Sequence, residues 1–338
     1  MKCNIPYSSI ISEQNLRIAY INARRGKRKY RDVQIFEKDI DGNIKKLHEL
    51  LSRHEYRTSA YRTQYVTDSN KTRKIYKLPF YPDRIVQWAI ILQMDSFFRS
   101  QFSEHSHASI KGKGIHTALR DVQNAFKEGY KYCYKIDVRK FFPHVDHTIL
   151  KQMLEHQISD RDTLSLLFEN IESVPKDEGL PIGNYCSQYY ANYYLTPFDD
   201  YLTKKGIRFV RYMDDICIFL FDKIGFRPLQ RDIEWFLLRK LNLTLKDNWQ
   251  LFPIDIRGLD FVGYRIWKDK TIIRKSIFKR IRKRTKSINE MIKLGMGVTE
   301  HDECSVMSYY GWIKFCSPRA RTTILKFYFN DILKFIRQ

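Results

Sequence analysis

The sequence predicts an α+β fold in which antiparallel strands are backed by helices and followed by a helical C-terminal stretch, and three patterns carry that expectation. The first is Phe209-Val210-Arg211 with Ile216-Cys217-Ile218-Phe219-Leu220. These β-branched and aromatic runs read as two strands meeting at a tight turn, because strands disfavour the adjacent Asp214 and Asp215 and turns accept them. The second is Tyr132-Cys133-Tyr134 with Ile136 and Val138, a central strand with Asp137 at or near its C-terminal end. The third is the set Ile277, Ile281 and Ile288, which gives one helix an apolar side and leaves Arg280, Arg282, Lys283 and Arg284 on a basic face.

The remaining elements follow in chain order. The stretch through about Leu51 reads as basic helices, broken at Ala23-Arg24-Arg25-Gly26-Lys27-Arg28-Lys29. Gly112 and Gly114, alternating with Lys111 and Lys113, mark a loop. Gly179-Leu180-Pro181-Ile182-Gly183 forms a second loop, and the small and aromatic residues from Asn184 to Leu195 read as the helix that follows it. No internal repeat or low-complexity linker interrupts the chain.

Composition narrows the function. At 338 residues there is room for one large core or two modest ones. A net charge of +22 with 14% aromatic residues fits a polyanionic partner carrying stackable bases, and would also attract anionic membranes. The six cysteines, with no Cys-x-x-Cys spacing, frame neither a disulfide scaffold nor a zinc site, and a reducing cytoplasm is the expected location. No run approaches the ~18 apolar residues of a membrane span.

The chemistry concentrates in Asp214-Asp215. Ionised carboxylates where hydrophobicity says the backbone is buried cost several kcal/mol unless a cation or hydrogen bonds compensate, and so the pair suggests a divalent metal. Asp137 supplies a third carboxylate from a separate element. Such a set is the minimum for two-metal phosphoryl transfer, in which two Mg²⁺ about 3.5–4 Å apart activate a 3′-hydroxyl and stabilise leaving pyrophosphate. Tyr212-Met213-Asp214-Asp215 and the segment around Asp137 resemble motifs C and A in the palm domain of a reverse transcriptase.

That resemblance implies a right-hand polymerase: N-terminal basic helices and fingers over 1–130, a palm over 131–267 with some fingers elements interleaved, and a helical thumb over 268–338. It implies Asp137, Asp214 and Asp215 as catalytic residues and, with Val138, as metal ligands for two Mg²⁺, with Mn²⁺ able to substitute. Phe142, five residues after Asp137, falls where the family places the ring that excludes a 2′-hydroxyl; the other reading puts it in the core with Phe141. Arg73 and Lys71 fall on the fingers hairpin and would meet the nucleotide triphosphate, although a solvated turn is the alternative for Lys71. Gly183 and Gln188 complete the nucleotide-binding set; Lys111, Lys113, Arg280, Arg282, Lys283 and Arg284 would track nucleic acid. Trp249 occupies the position where related polymerases carry a Lys that protonates pyrophosphate. Lys246 lies three residues earlier, and the general acid is left open.

In motif B, Ile182 replaces the usual Gln before the Gly, and Gln188 replaces a Pro after Ser187. This paired departure resembles the reverse transcriptases of diversity-generating retroelements, which copy a template-repeat RNA with frequent errors opposite adenine. It implies Arg73 and Ile182 as fidelity residues. The partners it implies are template RNA, the cDNA/RNA duplex, deoxynucleoside triphosphates and a basic pentameric accessory variability protein, with no membrane. A reverse transcriptase of a phage-defence or retron-type system is the alternative. A binding module without activity would have no reason to keep all three carboxylates at these spacings.

Overall fold

The structure, a computed structural model, describes residues 2–68, 71–329 and 332, without the side chains of Asp68 and Lys71. It divides into two compact units, each assembled from separate stretches of chain. Met1–Glu104, Val138–Lys205 and Phe226–Lys246 form one; His105–Asp137, Gly206–Gly225 and Asp247–Gln338 form the other.

The first unit is built around the helix Ile85–Gln101. Val86, Ala89, Ile90, Met94 and Phe98 are all buried, so the helix presents a broad apolar face that needs neighbours, while Ser96, Arg99 and Ser100 stay exposed. The helix Glu13–Ala23 covers one side with Leu16, Ala19 and Tyr20, and Asn15 Nδ2 donates to the Ala89 carbonyl at 3.0 Å. Tyr189 and Tyr193 of the helix Tyr185–Tyr194 cover another, their rings 5.6 and 5.7 Å from Phe98. The expected N-terminal helices are present as Tyr7–Ile11, Glu13–Ala23, Arg31–Phe36 and Ile40–Ser52, with turns over 24–29. Strands β1 (Arg62–Asp68) and β2 (Lys71–Lys77) make an antiparallel hairpin that sets Arg73 opposite Val66.

The second unit contains an antiparallel sheet of β3 (Tyr132–Asp137), β4 (Arg208–Tyr212), β5 (Asp215–Leu220) and β6 (Gln250–Pro253) in the order β4-β5-β3-β6. The amphipathic helix Ile115–Lys127 shares a core with Cys133, Val210, Cys217 and Phe219 through Leu119, Val122 and Phe126. Ile281 and Ile288 of the helix Lys275–Lys293 enter the same core. The outer edge of β4 is covered by residues 105–107: Arg211 N donates to His105 O at 2.8 Å and His107 N to Arg211 O at 3.0 Å. This removes an open strand edge.

One element departs from the reading of the sequence. Thr271–Ile273, placed at the start of an all-helical stretch, is a strand, β9, joining β7 (Leu259–Phe261) and β8 (Tyr264–Ile266) in a small sheet. Its Thr-Ile-Ile sequence is β-branched throughout, and Thr271 and Ile273 are buried while Ile272 is exposed, the alternation of a half-buried strand. The helices begin only at Lys275.

Candidate active site

The antiparallel register of β3 and β5 sets Asp137 directly opposite Asp215. Asp214 follows Met213 in the two-residue turn that closes β4 onto β5, where Tyr212 pairs with Asp215. Met213 takes φ 59°, a left-handed conformation that costs a residue with a Cβ on the order of 1–3 kcal/mol. Arg211 helps to hold that turn. Its side chain is fully buried, and Nη1 donates to the Met213 carbonyl at 3.3 Å.

Lys135, two residues before Asp137 on the same face of β3, extends its ammonium to Asp215 Oδ1 at 3.2 Å and donates to the Asp260 carbonyl at 2.6 Å. Burial pushes the Asp215 carboxyl up to about 6; Lys135 opposes the shift, and the nearby Asp137 and Asp214 add to it. Three carboxylates thus gather at one end of the paired strands, with the Lys135 ammonium beside Asp215. The geometry is not a closed cage, since among the described residues no three His, Cys, Asp or Glu side chains stand close enough to hold an ion. The donor set nevertheless fits a hard divalent cation, being all carboxylate oxygen, with Asp137 and Asp214 close enough to Asp215 to raise its pKa. Alongside lies a cavity of about 300 Å³ lined by Asp137, Lys135, Gln250, Arg257, Arg265 and Arg274.

The other expected site residues fall as follows. Val138 is fully buried and bridged to Leu245, so only its backbone carbonyl has the chemistry of a ligand. Phe142 is half-buried, edge-on to the buried Phe141 at 5.8 Å, and its carbonyl accepts from Leu180 N at 2.8 Å. Arg73 is exposed on β2. Lys71 opens that strand, and its side chain lies outside the described residues. Ile182 is half-buried, Gly183 has φ 118°, and Gln188 is exposed on the helix Tyr185–Tyr194. Lys111 is exposed, whereas Lys113 donates to the Ser106 carbonyl at 3.1 Å. Arg280, Arg282 and Lys283 are exposed; Arg284 differs, being engaged by Asp302. Trp249 packs edge-on to Tyr134, with ring centroids 5.8 Å apart.

The sequence reading missed two residues of this site, Lys135 and Arg211. For Lys135 the signal was available, because a charged residue alternating with Asp137 in an apolar strand shares its face.

Residues 57–248 match the family model described as reverse transcriptase (RNA-dependent DNA polymerase). The chain belongs to the reverse transcriptase family. As a reverse transcriptase it is 28% identical over 169 residues to protein YkfC of Escherichia coli K12, covering 46% of this chain and 44% of that one. It is 25% identical over 177 residues to the group II intron-encoded protein LtrA of Lactococcus lactis, covering 50% and 29%. The match therefore spans less than half the length of either relative. Among solved structures, apo telomerase from Candida tropicalis superposes with a TM-score of 0.50 at 12% identity, covering 67% of this chain and 50% of that one. The fold is that of a right-hand polymerase. Among the described residues no helix is long and apolar enough to cross a membrane.

Proposed function

We propose that the chain is an RNA-directed DNA polymerase that makes cDNA from a template-repeat RNA, with frequent errors opposite adenine. The observation that carries the polymerase reading is the pairing of Asp137 with Asp215 beside Asp214. These three carboxylates are the residues to hold two Mg²⁺, or Mn²⁺ in their place, and bound ions would supply the positive charge that activates a 3′-hydroxyl and stabilises departing pyrophosphate. Lys135 holds the Asp215 carboxylate in place and Arg211 holds the turn that presents Asp214. Phe142 excludes a 2′-hydroxyl by contact, and Arg73, with Lys71, neutralises the triphosphate. Arg280, Arg282 and Lys283 meet the duplex backbone. Fingers, palm and thumb follow the division at 130 and 267.

The finer assignment rests on Ile182 and Gln188. A Gln before the Gly can hydrogen-bond near the template nucleotide and penalise a displaced base, whereas Ile182 offers only shape and leaves no polar partner unpaired when the pair is wrong. The same substitutions argue against an intron enzyme despite the likeness to LtrA. In this reading the partners are template RNA, deoxynucleoside triphosphates and a basic pentameric accessory protein, in the cytoplasm.

The test is primer extension on an RNA of known sequence by the wild type and Asp214→Asn, followed by sequencing of the cDNA. Extension should need Mg²⁺ and fall by about a hundredfold or more in the variant, because transition-state charge loses its countercharge. A variant that keeps more than about a tenth of wild-type extension sinks the polymerase assignment. Errors should concentrate opposite template adenine; uniformly low errors at all four bases would remove the diversity-generating role and favour phage defence.

A further inference from the structure

Three bonds from outside the Ile182–Tyr185 loop fix its backbone. Tyr76 N on β2 donates to the Ile182 carbonyl at 2.7 Å, and Arg84 Nη1 donates to the Gly183 carbonyl at 2.9 Å. Tyr185 N donates to Gln87 Oε1 at 3.0 Å. Within the loop, Asn184 is occupied in capping the next helix through Cys186 N and in donating to the Tyr61 hydroxyl at 3.1 Å. Gly183 leaves no slack: a Cβ there would lie 2.4 Å from the Tyr76 carbonyl oxygen.

Two of these partners share one origin. Arg84 and Gln87 stand three residues apart where the helix Ile85–Gln101 begins, on one face, and Arg84 Nη1 also reaches Gln87 Oε1 at 3.4 Å. Gln87 is fully buried and the helix sets Val86, Ala89, Ile90, Met94 and Phe98 into the core, so the loop is anchored to a well-packed element. Burial works against the Arg84 charge, and among the described residues no carboxylate pairs with it. A desolvated guanidinium whose described acceptors are a loop carbonyl and a buried amide is suited to holding a backbone conformation.

We propose that Arg84 and Gln87 are positioning residues for nucleotide selection: they clamp Gly183 and Tyr185 to the first turn of the buried helix, and so keep Ile182 in one position. The consequence for catalysis rests on the polymerase reading; the clamp itself does not. Because the pair acts through the loop, its loss should weaken nucleotide binding and alter discrimination while sparing the chemical step.

The experiment compares wild type, Arg84→Met, which keeps the stem but removes the donors, and Arg84→Lys, which restores one. Hydrogen exchange on the free full-length chain should show the Tyr185 amide exchanging about tenfold faster or more in Arg84→Met and near the wild-type rate in Arg84→Lys. In primer extension, KM for the deoxynucleotide should rise about tenfold with kcat within about threefold of wild type, and the ratio of wrong to right incorporation should shift. Arg84→Lys should recover most of the loss. Unchanged Tyr185 exchange in Arg84→Met overturns the clamp, and a fall in kcat at constant KM overturns positioning in favour of a direct part in chemistry. Should Arg84→Met not fold, Gln87→Met deletes the Tyr185 acceptor while keeping the Arg84 bond to Gly183, and carries the same expectations. If the wild type makes no DNA, the polymerase reading fails and hydrogen exchange alone decides the clamp.

Discussion

Asp121 is the keystone of a buried polar cluster, and its replacement by Asn has a calculable cost. Its Oδ2 meets His105 Nδ1 at 3.0 Å and His107 Nε2 at 2.9 Å, and its Oδ1 accepts from Arg208 Nη2 at 2.5 Å. The Asp121 and Arg208 side chains are only 14% and 10% exposed, so solvent screens the pair little. Removing one partner of a buried ion pair costs about 3–5 kcal/mol, and we place Asp121→Asn near about 3 because Arg208 keeps Glu128 at 3.0 Å. The pH dependence follows from the same contacts. Burial by itself would raise the Asp121 carboxyl, but hydrogen bonds from His105, His107 and Arg208 outweigh it and hold the group well below the usual carboxylate range. A folded-state value below the unfolded one of about 3.9 gives stability that is complete above about pH 5 and is lost as pH falls toward the folded value. Wild type should therefore lose about 1 kcal/mol between pH 5 and pH 3 that the variant does not. Urea unfolding of both proteins across pH 7 to pH 3 measures the gap. A cost under about 1 kcal/mol at pH 7, or a gap that does not narrow with acid, would refute the reasoning.

Two further outcomes concern selectivity. Phe142→Ala should admit ribonucleotides while extension with deoxynucleotides persists, read as the ratio of kcat/KM for the two sugars. An unchanged ratio, or a loss of solubility reflecting the ~3–5 kcal/mol of a deleted core Phe, would return the ring to the core. Ile182→Gln should lower the error rate opposite template adenine in sequenced cDNA; an unaltered error spectrum would discard Ile182 as its cause.

The sequence made the carboxylate apparatus legible because β3 and β5 are apolar runs in which an Asp has no structural reason to stand. Phe141 was legible as core for the same reason, and it is buried. Arg211 was not, because the strip covering its strand comes from residues 105–107, and for Lys135 the sequence signalled only the face shared with Asp137, not the Asp260 carbonyl 125 residues away. The same holds for Arg84 and Gln87, which hold a loop nearly a hundred residues away. β9 escaped because three residues are too few for a period to declare itself. The points at which the chain passes between the two units were invisible, since no linker composition marks them.

The pairing of β3 with β5 is also a ruler. Both strands are interior, flanked on the outside by β6 and β4, so neither can shift without breaking two ladders. Sliding one past the other by a single residue would set Ile136 against Asp215 and turn Asp137 to the opposite face of the sheet. Length changes within 133–136 or 216–219 are therefore far more damaging than most substitutions there, however conservative the inserted residue. The turn after Leu220, through Phe221–Gly225, is where the chain can lengthen or shorten without moving a carboxylate.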